Sequence, residues 1–195
     1  MCIRFLPKLG YIDKPGGRHI HKKPIPRGGG IAVAGAFFST LLFYCFTQPN
    51  LDENLYFFFR IFTPAMPLLV LGLIDDRHEL NSWIKLAVQL VVGAIVWYFN
   101  KNSFVLFDYV MPWYLSLILT EIWVIGIINA FNLIDGLDGL ASGLAVISSF
   151  CMFTWFFFRG GVYLNALAML ILAASCIGFL RYNFYPARIF LGDTG

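Results

Sequence analysis

Charge is scarce in this chain. Only 13% of its 195 residues are Asp, Glu, Lys or Arg, while 59% are hydrophobic and 18% aromatic. A soluble domain carries about 25% charged and roughly 45–50% apolar residues, so the balance, with a mean hydropathy of +0.74, makes this an integral membrane protein. Paired cysteines are lacking too. Cys2, Cys45, Cys151 and Cys176 show neither disulfide nor metal-ligand spacing, and the last three lie in apolar runs, where a small buried hydrophobe is expected. His19 and His21 stand two apart in a Pro/Gly-rich loop without cysteine, which does not make a zinc site. No cleavable signal peptide, soluble domain, repeat or low-complexity tract is visible. The basic residues read as membrane topology, so no nucleic-acid partner is expected.

What the chain has is long apolar runs. Crossing a bilayer core takes about 20 helical residues, and six runs are long enough: near 29–48, 56–74, 83–99, 111–129, 140–158 and 161–180. Short linkers between them predict one all-α, polytopic helical bundle, preceded by a basic loop (1–28) and followed by a tail (181–195). With six crossings in alternation, Arg4, Lys8, Lys14, Arg18, Lys22, Lys23, Arg27, Arg77, Lys85, Arg181 and Arg188 share one face. Arg60, Lys101 and Arg159 take the other. Eleven of the fourteen basic residues on one side predict that this side is cytoplasmic.

Asp75, Asp76, Asp135, Asp138 and Asp193 fall on that same face, at or just beyond helix ends. Five carboxylates at one mouth would repel one another, and a divalent cation with nearby Lys and Arg is the economical remedy. Oxygen ligands favour Mg2+ or Mn2+ over zinc. Asp52, Glu53 and Asp108 on the opposite side read as ordinary loop charge. Neighbouring helical residues point about 100° apart, so Asp75 and Asp76 can serve different partners; a solvated helix end is the plainer alternative. Lys85 and Gln89 follow one turn apart. Lys85 either snorkels to the interface or meets phosphate. Asn129, Asn132, Asp135 and Asp138 recur every three residues, which a helix would align along roughly one face. Gly136 and Gly139 follow the two aspartates, and this segment also suits a polar turn; the other EF-hand ligands that a calcium loop would need are missing. Gly192 and Gly195 around Asp193 suit a tight turn aimed at a cation. Glu121, in mid-span, is either protonated or turned inward against a polar partner.

Together these segments resemble the polyprenyl-phosphate N-acetylhexosamine-1-phosphate transferases, along nearly the whole chain. The resemblance rests on Asp13 through Arg18, His21, Pro26 and Gly29–Gly30; on Asp75, Asp76, Lys85 and Gln89; on Asn129 through Ala141; and on Phe190 through Asp193. The first of these looks more like the branch using UDP-N-acetylglucosamine than the peptidoglycan-pentapeptide branch. It implies a Mg2+-dependent, multi-pass enzyme of the inner (plasma) membrane whose active site faces the cytoplasm. Such an enzyme moves a sugar-1-phosphate from a UDP-sugar to a polyprenyl (undecaprenyl) phosphate and releases UMP in cell-envelope glycan synthesis, of which O-antigen lipopolysaccharide and teichoic acid are examples. By resemblance, Asn132 and Asp193 hold the metal, Asp75, Asp76 and Lys85 serve the lipid phosphate, and Asp135, Gly136, Asp138 and Phe190 hold the uridine. A homodimer is a family-level expectation.

Members of that family normally have a further span before the basic loop, more after the Gly-Asp motif and a late His-containing loop at the sugar. The chain therefore reads as truncated at both ends, and poor activity is expected of it alone. A non-catalytic remnant is the first alternative. A small transporter is the second, favoured only by Glu121, since transporters place charge near the midplane.

Overall fold

The structure is a computed structural model and describes residues 2–13, 24–78, 80–100, 105–106, 109–160 and 163–195. Lys14, Arg18, His19, His21, Lys22, Lys23, Lys101 and Asp108 lie outside the described residues. Among the described residues, six helices are long and apolar enough to cross a membrane: α2 (Gly30–Thr47), α3 (Leu51–Arg77), α4 (Ser82–Phe99), α5 (Trp113–Ile134), α6 (Leu140–Arg159) and α7 (Tyr163–Asn183). A short helix α1 (Cys2–Phe5) precedes them, and β1 (Ile12–Asp13) pairs antiparallel with β2 (Ile25–Pro26) just before α2. A second small ribbon, β3 (Val105–Leu106) with β4 (Tyr109–Val110), joins α4 to α5. Helices dominate because a bilayer leaves backbone polar groups no partner but each other.

The helix bounds depart from hydropathy in ways that matter. α3 starts five residues before the expected span, with Asp52 and Glu53 in its first turn, where negative charge suits the helix N-terminus. It continues through Pro64 and Pro67 to Arg77, so its 27 residues reach about 40 Å against a core of about 30 Å. The excess is long enough for Asp75 and Asp76, in the last turn of α3, to lie outside an apolar slab of that thickness. α5 likewise runs on to Ile134, because Phe131, Leu133 and Ile134 prolong its apolar pattern. Asn129 and Asn132 are therefore helical, but the expected single face of four polar residues is cut short. Asp135 is the C-cap of α5, and Gly139 sits at φ +73° ahead of α6, a conformation glycine adopts without penalty.

In space the helices run α6, α7, α2, α3, α4, α5, each packed on the next, and α5 touches α6 only sparingly. One apolar core joins α2, α3 and α7 through Phe37, Leu41, Cys45, Phe57, Phe58, Ala168 and Ile171. A smaller one, around Leu6, Ala141, Phe179, Ile189 and Leu191, lies under the C-terminal tail. Cys45 and Cys176 are buried as expected, whereas Cys151 is exposed on α6. Alternation brings the starts of α2, α4 and α6 and the ends of α3, α5 and α7 to one end of the bundle. All the acidic motifs collect there.

Candidate active site

The tail after α7 is what assembles this end. Asn183 is buried; its amide donates to the Ile189 carbonyl at 3.0 Å and its oxygen accepts from the Ser142 hydroxyl at 2.9 Å. This turns the chain back toward α2. There Phe190 N–H donates to Pro26, while Gly29 and Gly30 N–H donate to Phe190 and Leu191, each at 2.9 Å. Glycines make the approach possible. A Cβ on Gly72 of α3 would lie 2.2 Å from the Asp193 carbonyl oxygen, and one on Gly30 would lie 2.3 Å from Thr194 backbone atoms. Gly192 takes φ +75° directly over Asp76, which favours the residue without a Cβ.

Asp75 and Asp76 do serve different partners. The Asp76 side chain has no exposed surface. Its Oδ1 accepts from Asp193 N–H at 2.9 Å and from Arg27 Nε at 2.8 Å; its Oδ2 accepts from Thr194 N–H at 3.4 Å and Thr194 Oγ1 at 3.1 Å. Asp75 looks to the other side, accepting from Leu80 N–H at 2.8 Å and pairing with Lys85. Between them lies the Asp193 carboxylate, with Arg27 Nη2 3.4 Å from Oδ1 and Lys85 Nζ 3.6 Å from Oδ2. The resemblance implied that Asp76 would meet the lipid phosphate. In this arrangement its oxygens are fully taken, because α3 buries that face under the tail.

The α5–α6 turn closes the site. Asp138 Oδ2 accepts from Ala187 N–H at 3.0 Å, fastening the turn to the tail. Gly136 is exposed, and Phe190 is half-buried where its backbone joins the pre-α2 segment. Asp135 is pushed up to about 7, first by burial and then by Asp193 and Asp76, against the opposing pull of the Gly192 N–H and Arg27. Asp193 is pushed up to about 6, first by burial and then by its hydrogen bond with Asp75, against Arg27 and Lys85. Asn132 is exposed, and no hydrogen bond or ion pair among the described residues ties it to Asp193. It stands three residues before Asp135, hence on the same helical face one turn away. Asn129 donates instead to the buried Gln89 at 3.0 Å, pinning α5 to α4.

The donor set fits a divalent cation. Among the described residues, the cations that Asp75, Asp76, Asp135 and Asp193 meet are Arg27 and Lys85, which leaves these four carboxylates two positive charges short of balance within that set. Among the described residues no His, Cys, Asp or Glu group forms a ready metal cage. Mg2+ needs none: it keeps several waters and is held by one or two carboxylates with substrate phosphates. Beside the cluster an apolar groove of about 760 Å³ runs between α3 and α4, lined by residues including Met66, Val70, Ile74, Leu80 and Ile84. Leu80 is the residue whose N–H binds Asp75, so one wall of the groove adjoins Asp75. Glu121 lies apart, half-buried against Gly93 of α4, its Oε2 without a hydrogen-bond partner among the described residues.

Arg27, Thr194, Gly72 and Asn183 escaped the sequence reading. Arg27 was one basic residue among seven before α2, and nothing local set it off. Gly72 did carry a signal, standing one helical turn before Asp75 and Asp76.

A family model described as Glycosyl transferase family 4 matches residues 58–195. A Bacillus subtilis protein described as a probable undecaprenyl-phosphate N-acetylglucosaminyl 1-phosphate transferase is 36% identical, covering 98% of this chain and 53% of its own length. An undecaprenyl-phosphate alpha-N-acetylglucosaminyl 1-phosphate transferase of Thermotoga maritima is 33% identical, covering 98% of this chain and 54% of its own length. The decaprenyl-phosphate N-acetylglucosaminephosphotransferase of Mycobacterium tuberculosis is 33% identical, over 96% of this chain and 50% of its own length. The chain spans about half the length of the curated relatives it matches.

Proposed function

The chain belongs to glycosyl transferase family 4, and from that premise we propose that it transfers N-acetylglucosamine-1-phosphate from a UDP-sugar to a polyprenyl phosphate, releasing UMP, at the cytoplasmic face of the plasma membrane. The product would feed synthesis of a cell-envelope glycan. The observation that carries the reading is the ion network at the end of α3, where Lys85 and Arg27 flank Asp193 beside an apolar groove. A lipid phosphate needs just that juxtaposition: a cation for its head and a lipid-depth channel for its chain. The names of the three relatives supply the sugar and the acceptor class, and the excess of basic residues on the site's side supports the cytoplasmic orientation.

In this reading Lys85, aligned by Asp75, holds the acceptor phosphate at the groove's mouth. An acceptor oxygen attacks the sugar-bearing phosphorus, a new P–O–P linkage forms, the old one breaks, and UMP leaves with the bonding electrons. Asp193, with Asn132 reaching from α5, would hold Mg2+, which would neutralise the charge gathering on the donor pyrophosphate. Asp135, Gly136, Asp138 and Phe190 would cradle the uridine from the α5–α6 turn and the tail. Positioning and fixed charge supply most of the catalysis in such transfers.

The test is UMP release from UDP-N-acetylglucosamine and undecaprenyl phosphate with Mg2+, in lipid, for wild type and Asp193→Asn. We expect the substitution to lower the rate by about 10²- to 10³-fold. Absence of UMP release from the folded protein, both as this chain and in any longer in-frame form, would sink the proposal.

A further inference from the structure

We infer that Arg27 and Asp76 form a brace that aims the Asp193 carboxylate, and that Asp76 is a positioning residue which touches no substrate. Two oxygens of a carboxylate offer about four acceptor directions, and in Asp76 all four are taken. Oδ1 receives Arg27 Nε and the Asp193 N–H; Oδ2 receives the Thr194 N–H and hydroxyl. The side chain has no exposed surface, so neither a phosphate nor a cation can reach it without dismantling the tail. Its partners come from two segments far apart in the chain, the residues just before α2 and the Gly-Asp-Thr turn.

Arg27 completes the device. Its guanidinium is a rigid plane with donors at fixed angles. Nε lies on Asp76 while Nη2 lies 3.4 Å from Asp193 Oδ1. Fixing the plane on the buried carboxylate therefore fixes the direction from which Asp193 is held. The other Asp193 oxygen faces Lys85, so each oxygen has one cation and the carboxylate is set between the segment before α2 and α4. A lysine at position 27 would keep the charge but lose the plane. The role in turnover rests on the transferase reading; the brace itself rests only on these contacts.

The experiment uses the full protein in lipid nanodiscs with three variants: Arg27→Gln, Arg27→Lys and Thr194→Val. Three quantities are measured: hydrogen exchange at residues 192–195, the Mg2+ concentration giving half-maximal thermal protection, and UMP-release kinetics split into kcat and the KM of each substrate. Supporting residues behind a metal ligand change metal affinity by about 10- to 100-fold. Arg27→Gln should therefore raise the half-maximal Mg2+ concentration about tenfold or more, speed exchange in the tail and lower kcat, with the KM for undecaprenyl phosphate within twofold of wild type. Arg27→Lys should recover only part of the loss, and Thr194→Val should move the same quantities by less. Unchanged exchange and Mg2+ protection in Arg27→Gln would overturn the brace. So would a raised KM for UDP-N-acetylglucosamine with Mg2+ protection intact, which would make Arg27 a substrate contact. If wild type released no UMP, as this chain or in any longer in-frame form, while Arg27→Gln still weakened Mg2+ protection and loosened the tail, the transferase reading would fail and the brace would stand.

Discussion

Gly72→Ala separates the site from the helix that carries it. A Cβ at position 72 would sit 2.2 Å from the Asp193 carbonyl oxygen, 2.5 Å from its carbonyl carbon and 2.6 Å from Thr194 Cα. Ordinary van der Waals contact begins at 3.4 Å, so the tail must back away by roughly 1.2 Å, because the obstacle is backbone and cannot rotate aside. That movement takes the Asp193 and Thr194 donors off Asp76 and displaces the Asp193 carboxylate by a similar amount. A misplacement of about 1 Å in a positioned group costs about 100-fold in rate, equivalent to about 2.7 kcal/mol in the barrier. Alanine in a helix interior meanwhile gains up to about 1 kcal/mol over glycine, which offsets part of the lost docking. Turnover should thus fall about 100-fold while the midpoint of thermal unfolding in nanodiscs moves little. Gly35→Ala and Gly126→Ala make the same change where a Cβ meets nothing within 4 Å, and their UMP release should match wild type. Wild-type turnover in Gly72→Ala, with unchanged hydrogen exchange in the tail, would refute the close packing of the tail on α3.

Lys85→Gln removes the cation shared by Asp75 and Asp193; the KM for polyprenyl phosphate should rise about tenfold or more, which initial rates against acceptor concentration will show. The raised Asp135 and Asp193 set a pH dependence of the Mg2+-free protein. With values of about 7 and about 6 in the fold against an ordinary 3.8, their stabilising contribution is complete below about 3.8 and is lost as pH rises through 6 to 7. Thermal unfolding without Mg2+ should therefore shift to lower temperature across that window. The gain on adding Mg2+ should grow between pH 5.5 and 8, since the cation takes the place of the protons; a gain that shrank with rising pH would contradict the placement of Mg2+ at these carboxylates.

The outline of the site was legible because membrane parity is a strong constraint. Once six crossings alternate, Asp75, Asp135 and Asp193 must share a face whatever the packing. The division of labour between Asp75 and Asp76 was half legible. A 100° offset predicts two partners, but it does not say which carboxylate the tail will cover. That depends on Gly72 and Gly192, whose missing side chains matter only when another backbone lies against them. Asn132 shows the opposite limit: a spacing of three drew it together with Asp135, and the helix does put them on one face. The turn then leaves the helix at Asp135, so Asp138 binds the tail instead of extending the stripe. Arg27 was illegible for a simpler reason. In a basic loop beside a membrane, positive charge is already explained by topology, and only the folded arrangement shows that the Arg27 guanidinium turns inward.

The placement of the two adjacent aspartates also explains why the network can hold excess negative charge in a covered site. A lone buried carboxylate is costly and needs several donors to remain ionised. Asp76 has them, and its partners are backbone and side-chain groups of the tail and a guanidinium, all fixed by folding. Its charge is thus absorbed in building the site. Asp75 and Lys85 likewise neutralise one another in place. Burial nevertheless pushes Asp76 up against its donors, and it pushes Asp193 up to about 6 with Asp75 adding to the rise, and Asp135 up to about 7 with Asp193 and Asp76 adding to it. The fold covers Asp76 and Asp75 more completely than Asp193. A divalent cation bound there would relieve a repulsion that folding itself creates, so cation affinity would come from the assembly of the tail on α3 as much as from the ligands. Loosening the tail should therefore weaken cation binding even when Asp193 and Asp135 are both intact, which is why Gly72→Ala and Arg27→Gln are expected to share that defect.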